Sequence, residues 1–180
     1  MKYLRLLICI SFFINLNSHA KELGGNFILE NFDSNKYELY KSDRVKLIFF
    51  GFTNCPDICP TTLIEIAQLI KSPELNAEKI DYIFITVDPK RDTKEKLKTY
   101  LNFFDKKIIG LTGDLKIIDD ISNKYHVYYS YSDVKSEKEY VVNHTTNLYL
   151  LSKTSKLENI LPMGMPLKEK IQIRKELITD

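Results

Sequence analysis

The chain has 180 residues, of which 26 are basic and 24 are acidic, and 44% are hydrophobic. This length suits one domain with a substantial buried core, and no internal repeat or low-complexity linker divides it. The net charge of +2 comes with no basic cluster, which argues against a nucleic-acid-binding protein that works by neutralising phosphates.

The first 20 residues have the pattern of a secretory signal peptide. Lys2 and Arg5 precede the apolar stretch Leu6–Leu16, and Ser18-His19-Ala20 is a small-x-small cleavage site. The stretch is shorter than the roughly 20 residues of a transmembrane helix, with an uncleaved N-terminal anchor as the alternative. Cleavage would remove two of the 26 basic residues and leave 24 against 24 acidic ones. We expect residues 21–180 to form a single neutral domain in an oxidising, periplasmic or equivalent compartment.

The rest of the chain alternates between strand-like and helix-like segments. Phe27–Glu30 and Lys36–Tyr40 flank a polar turn and predict a β-hairpin. Val45–Phe52 and Ile80–Val87 are nearly continuous apolar runs, as in strands buried on both faces. The other predicted elements are a helix from Thr62, capped by Thr62 and Glu65, a helix at Thr93–Phe104, a strand at Ile108–Leu111, a helix at Leu115–Tyr125, strands at Val127–Tyr131, Tyr140–Val142 and Leu148–Leu151, and a helix at Pro166–Ile178. This alternation predicts an α/β fold with a central sheet flanked by helices.

Cys55 and Cys59 are the only cysteines beyond the leader, and each is followed by proline. They follow the first buried strand, and open α/β sheets place their sites at the carboxyl ends of strands. A residue before proline is disfavoured in the α region, so both cysteines are predicted to be extended in a rigid loop. Pro60 or Thr61 is then expected to lead into the following helix. Its positive end would lower the thiol pKa and favour thiolate.

Two thiols this close can form a structural disulfide, exchange one, or bind a soft metal. A loop of about five residues closed by a disulfide contributes only about 2 kcal/mol, which disfavours a purely structural role. Two histidines lie beyond the leader. His126 fits an ordinary core or surface residue, whereas His144 lies at a kink between strand-like runs, where it can approach the thiols. Two thiolates and an imidazole suit copper, as Cu(I) directly or as Cu(II) with an added oxygen ligand, whereas structural zinc takes four protein ligands.

Several motifs resemble those of the Sco/SenC family of copper chaperones. They are Phe50–Leu63 with its CPxxCP pattern, Thr86–Thr93 with VDPKRDT, Ile109–Gly113, Tyr125–Tyr129 and the late histidine His144. The similarity runs from about Phe27 to Leu151. It implies a thioredoxin-like fold with a central mixed sheet and an N-terminal β-hairpin. It also implies that Cys55, Cys59 and His144 bind one copper ion per chain, as Cu(I) or Cu(II), and that the two cysteines form a redox-active pair.

The resemblance also implies a biological role and partners. The family delivers copper to the binuclear copper centre of cytochrome c oxidase, or maintains the thiols of that centre. The implied partners are the copper-bearing subunit of the oxidase, other copper donors and thiol reductants. Family members usually carry an N-terminal anchor or lipid, so membrane association through the N-terminus is part of the expectation. The family commonly has Asp before its histidine, whereas this chain has Asn143, which removes a negative charge beside the site.

Three alternatives stay open at this point. A thiol–disulfide oxidoreductase or redox sensor, with Cys55 as the attacking thiol, is the second function. The CxxxC spacing in place of CxxC argues against it and favours a non-enzymatic carrier. The segment Asp88–Asp92 could flank the copper site or contact the oxidase. We favour a structural role, in which Arg91 pairs with a carboxylate and stabilises the loop. The tyrosine-rich Tyr128–Tyr131 fits either a docking edge or cross-strand packing.

Overall fold

The computed structural model describes residues 23–136 and 139–179. The predicted signal peptide, residues 1–20, lies outside them. The strands in this part of the chain are β1 Ile28–Asn31, β2 Lys36–Glu38, β3 Val45–Gly51, β4 Ile80–Thr86, β5 Ile108–Thr112, β6 Tyr129–Ser132, β7 Val141–His144, β8 Leu148–Leu151 and β9 Leu157–Leu161. The α-helices are α1 Ile58–Lys71, α2 Lys94–Phe104, α3 Leu115–Lys124 and α4 Leu167–Thr179. Within these ranges, every helix falls short of the length and apolar character that a membrane span needs.

A seven-stranded mixed sheet forms the centre of the fold, in the order β2-β1-β5-β4-β3-β8-β9. Strands β3, β4 and β5 are parallel, whereas β1 and β8 pair antiparallel to their neighbours. All residues of β3 and β4 are buried, which explains why these strands read as continuous apolar runs. The predicted α/β class, mixed sheet and N-terminal hairpin of β1 and β2 are confirmed.

Strands β6 and β7 form a separate antiparallel pair, with Tyr129 opposite His144 and Ser132 opposite Val141. The sequence predicted both strands, but it ended the second at Val142. Strand β7 continues to His144, so this histidine ends a strand and does not lie at a kink. The register also places His144 and Val142 on one face of β7, because alternate residues of a strand share a face.

Strand β9 was missing from the sequence-based prediction. It pairs antiparallel with β8 at the edge of the sheet, and the register shifts between Leu150 and Leu151. Only Leu161 of this strand is buried, while Ile160 stays 40% exposed. An edge strand needs few apolar residues because one side of it meets solvent, so the segment lacked the run that revealed β3 and β4.

Helix α2 lies close against β5 at Gly110. A methyl group at this position would stand 2.5 Å from Leu101 Cδ1, 3.1 Å from Leu97 Cγ and 3.1 Å from Phe32 Cδ1. Leu97 and Leu101 have no exposed surface, so neither can turn aside into solvent. Gly110 is therefore required by the close approach of the helix to the sheet.

We expect Gly110→Ala to lower the free energy of unfolding by about 1–3 kcal/mol, because overpacking forces buried side chains out of their preferred rotamers. Urea unfolding followed by circular dichroism measures this change. Gly113→Ala is the matched control, since its methyl group would meet only the tip of Leu29, at 2.9 Å. The control should lose less stability, and equal stability of Gly110→Ala and the unmodified chain would contradict the packing argument.

Candidate metal centre

The loop that carries the cysteines joins β3 to α1. Asp57 is the N-terminal cap residue of α1, and the helix begins at Ile58. Cys59 is therefore helical and fully buried, whereas Cys55 lies before the helix and is half-buried. The prediction that both cysteines lie outside the helix is wrong for Cys59. Pro60 is tolerated in the first turn because amides there have no intrahelical acceptor, and this outweighs the bias against a helical residue before proline.

The predicted capping box of Thr62 and Glu65 is also wrong, since Thr62 lies inside α1. Its hydroxyl donates a hydrogen bond to the carbonyl of Ile58, at 2.9 Å. The hydroxyl of Thr61 likewise donates to the carbonyl of Asp57, at 2.9 Å. Both threonines thus bond backward within the first turns of the helix.

The early start of α1 points its first amides at the Cys55 sulfur. The amide of Cys59 donates to Cys55 Sγ, at 3.4 Å. The pKa of Cys55 is lowered to about 3, first because the Cys59 thiol donates a hydrogen bond to it, with further hydrogen bonds from backbone amides. The same bond and burial raise the pKa of Cys59. The resting pair is therefore a thiolate at Cys55 beside a protonated thiol at Cys59.

His144, the last residue of β7, reaches the sulfurs from the opposite side. Its Nε2 lies 3.4 Å from Cys59 Sγ, and its Nδ1 lies 2.8 Å from the carbonyl oxygen of Thr145. A carbonyl can only accept, so Nδ1 carries the hydrogen and donates it, which leaves the Nε2 lone pair directed at the sulfurs. The rings of Phe49 and Phe52 pack edge-on against the imidazole, with centroids 6.2 and 5.6 Å away.

One ligand atom each from Cys55, Cys59 and His144 lies within 4.8 Å of the other two. Metal–sulfur bonds of about 2.3 Å and metal–nitrogen bonds of about 2.0 Å place ligand atoms up to roughly 4.6 Å apart. The three atoms can therefore surround one ion with little movement. The structure brings together all three residues that the sequence singled out as ligands. His126 lies elsewhere, exposed and with a positive φ of 51°.

Asp92 fixes the start of the thiol loop. Its carboxylate accepts hydrogen bonds from the amide of Thr53 at 3.0 Å and from the hydroxyl of Thr53 at 2.5 Å. The hydroxyl of Thr86, at the end of β4, donates a third at 2.7 Å. Burial raises the pKa of Asp92 despite these bonds. The sequence left the role of this acid open, and the signals were its position in the loop after a buried strand and in the motif Thr86–Thr93.

Two other sequence hypotheses concern residues close to the site. Tyr129 and Tyr131 pack edge to face within β6 with centroids 5.8 Å apart. Tyr131 also packs edge to face against Tyr140, just before the partner strand β7, at 5.2 Å, whereas Tyr128 is 70% exposed. Asn143 donates from Nδ2 to the hydroxyl of Ser132 at 3.3 Å. Neighbouring residues of a strand point to opposite faces, so Asn143 points away from the thiols that His144 faces.

Comparison with known proteins agrees with this geometry. The family model described as SCO1/SenC matches residues 16–179. The chain belongs to the SCO1/SenC family. A SCO2-like protein of Rickettsia conorii is 40% identical over 151 residues, which cover 79% of this chain and 71% of the relative.

Two solved structures show the same fold. The copper-bound ScoI of Bradyrhizobium japonicum is 33% identical with a TM-score of 0.78, over 86% of this chain and 99% of that structure. The copper-bound ScoI of Arabidopsis thaliana is 30% identical with a TM-score of 0.78, over 87% and 98%. The expectation of a thioredoxin-like fold, which the motifs of the Sco/SenC family implied, is confirmed.

The two cysteines should differ in reactivity. In the reduced, metal-free protein we expect iodoacetamide to modify Cys55 at least roughly tenfold faster than Cys59, because Cys55 is a half-buried thiolate whereas Cys59 is a fully buried thiol. The Cys55 rate should also stay nearly flat between about pH 5 and pH 8, since its lowered pKa lies below this range. Peptide mapping by mass spectrometry measures both rates, and the urea-unfolded chain is the control. Faster modification of Cys59, or a steep rise of the Cys55 rate near pH 8, would contradict the assigned protonation states.

Proposed function

We propose that this protein is a metallochaperone that binds one copper ion per chain through Cys55, Cys59 and His144. The observation that carries the proposal is the mutual approach of two sulfurs and one imidazole nitrogen to within 4.8 Å. Two thiolates and an imidazole are soft ligands that suit Cu(I), and Cu(II) would need one more ligand. Relatives of the family with copper bound support the choice of metal.

The surroundings of the site suit a cargo ion better than a resident cofactor. A groove of about 510 Å³, lined by residues of the thiol loop and of β7, opens beside Cys55 and His144. Cys59 is fully buried, whereas Cys55 is half-buried at the open side. Ligands of a partner protein can therefore approach the ion through the groove and replace Cys55 first. Stepwise exchange of this kind passes copper on without releasing it into solvent.

The proposed recipient is the copper-bearing subunit of cytochrome c oxidase, whose binuclear centre needs copper and reduced thiols during assembly. Other copper donors and thiol reductants are the proposed upstream partners. We propose a periplasmic or equivalent extracytoplasmic location, reached through the signal peptide of residues 1–20 or held at the membrane by the same segment. Family membership and the leader pattern support these assignments.

A thiol–disulfide oxidoreductase or redox sensor is the second candidate, favoured by the lowered pKa of Cys55. In that reaction the Cys55 thiolate attacks a substrate disulfide and forms a mixed disulfide, releasing one substrate thiolate. Cys59 then loses its proton and attacks the Cys55 sulfur. The products are the Cys55–Cys59 disulfide and a second substrate thiolate, so two electrons pass from the protein to the substrate.

Copper titration tests the carrier function. The reduced protein should bind one Cu(I) per chain in competition with a chromophoric chelator. His144→Ala should keep both thiols but lose Cu(I) affinity. The loss should exceed the roughly 10- to 100-fold seen when a residue that only orients a metal ligand is removed. His126→Asn is the matched control, because Asn tolerates the positive φ at this exposed position, and it should bind like the unmodified protein.

The same preparations decide between the two functions. Reduction of a general disulfide substrate should be slow for a carrier, while copper binding is stoichiometric. Rapid turnover without copper binding would establish the oxidoreductase instead. Equal copper affinity of His144→Ala and the unmodified protein would remove the histidine from the site.

A further inference from the structure

The strand that carries His144 lacks ladder bonds to the central sheet. Strands β6 and β7 pair only with each other in the part of the chain that the structure describes. The position of the imidazole relative to the thiols therefore depends on the pairing of β7 with β6 and on side-chain contacts, including those at the start of β7. Tyr140, which immediately precedes this strand, makes the most extensive of the polar contacts found there.

Arg91 and Asp88 hold Tyr140 through its ring, its carbonyl and its hydroxyl. The Arg91 guanidinium lies 3.6 Å from the centroid of the Tyr140 ring, and its Nη1 donates to the Tyr140 carbonyl at 2.8 Å. The Tyr140 hydroxyl donates to one carboxylate oxygen of Asp88, while Arg91 Nε donates to the other. Asp88 has no exposed side-chain surface and Arg91 has 8%. We call Asp88, Arg91 and Tyr140 the Arg91 clamp.

The clamp shares one short segment of backbone with the anchor of the thiol loop. Asp92 follows Arg91 directly, and its amide donates to the carbonyl of Asp88 at 3.0 Å. Asp92 holds Thr53 at the start of the thiol loop, whereas Asp88 and Arg91 hold Tyr140 at the start of β7. A single turn after β4 therefore fixes both sides of the site.

Arg91 also approaches the imidazole through Phe52. Its guanidinium lies 5.9 Å from the centroid of the Phe52 ring, and this ring packs edge-on against His144 at 5.6 Å. Phe52 is 4% exposed. The aromatic wall behind the imidazole is thus supported by the same side chain that holds the strand.

We propose that Arg91, together with Asp88, is a positioning residue that holds His144 at bonding distance from the two sulfurs. This inference rests on the proposed copper site. Arg91 acts on the site through its contacts with Tyr140 and Phe52. Without the clamp, the start of β7 is held only through its pairing with β6, and the imidazole is no longer fixed beside the two thiolates. Copper retention, and not thiol chemistry, is the property that the clamp controls.

The variants must keep the charge of the buried pair, because removing one partner leaves a buried charge uncompensated and is strongly destabilising. Arg91→Lys keeps the charge but loses the planar guanidinium, which stacks on the Tyr140 ring and donates hydrogen bonds to both Tyr140 and Asp88. Tyr140→Leu removes the ring and hydroxyl at a half-buried position and leaves both charges in place. Arg44→Lys is the matched control, since Arg44 pairs with Asp81 at 3.3 Å and is 48% exposed. Circular dichroism and thermal unfolding check that each variant folds.

A double-mutant cycle with His144→Ala tests whether the clamp acts through the histidine. We expect Arg91→Lys to weaken Cu(I) binding about 10- to 100-fold in the unmodified background, as for other residues that orient a ligand. In the His144→Ala background the same change should have no effect, because the imidazole is already gone. Tyr140→Leu should behave in the same way, and Arg44→Lys should change nothing in either background.

Electron paramagnetic resonance of the Cu(II) form gives a second readout. Nitrogen hyperfine coupling from the imidazole should be lost or heterogeneous in Arg91→Lys and intact in Arg44→Lys. The proposal is overturned if Arg91→Lys and Tyr140→Leu leave affinity and coupling unchanged, or if they weaken binding equally with and without His144. Failure of the proposed copper site itself would give a different result. In that case His144→Ala alone would leave the Cu(I) affinity unchanged.

Discussion

The approach of His144 Nε2 to Cys59 Sγ, at 3.4 Å across 85 residues of sequence, is the contact on which the site depends. It requires that α1 begin early enough to bury Cys59 at its first turn, and that β7 extend far enough to end at His144. The hydrogen bond from Nδ1 to the carbonyl of Thr145 then directs the other ring nitrogen at the sulfurs. Each element is ordinary by itself, and the site exists only where they meet.

The difference in exposure between the two cysteines gives the site one buried side and one side open to the groove. Cys59 and the ring of Phe49 form its buried side, while Cys55 and Phe52 border the groove. A low local dielectric strengthens the hydrogen bond between the sulfurs, which is why one proton is retained and Cys55 becomes the thiolate. The same asymmetry serves a copper carrier and a disulfide reductant, so the electrostatics of the thiols alone does not separate the two functions. The proposed third ligand, His144, is the feature that distinguishes the proposed carrier from a simple dithiol reductant.

Sequence patterns revealed the parts of this fold that are governed by local rules. The apolar runs of β3 and β4 mark strands buried on both faces, and the spacing of two cysteines before prolines locates the thiol loop. The same local rules misplaced the start of α1, because the bias imposed by Pro60 on its neighbour is weaker than the fit of proline to a first helical turn. The edge strand β9 was not predicted because one side of it meets solvent, so its sequence lacks a continuous apolar run. Contacts between distant segments, such as Arg91 with Tyr140 across 49 residues, leave no trace in one sequence.

The buried ion pair of Arg91 and Asp88 is better explained by the orientation that it gives to Tyr140 than by a contribution to the stability of the fold. Replacing such a pair with apolar side chains is often neutral or stabilising, because desolvation of the two charges offsets their attraction. An apolar pair, however, would contact Tyr140 only by packing against its ring. The guanidinium fork and the carboxylate specify the ring plane, the carbonyl and the hydroxyl together, and so fix the orientation of the backbone where β7 begins. Strand β7 carries the proposed ligand His144 and, in the described part of the chain, has no ladder bonds to the central sheet. It therefore depends on this orientation, which accounts for charged groups at a position where hydrophobic packing would suffice for folding.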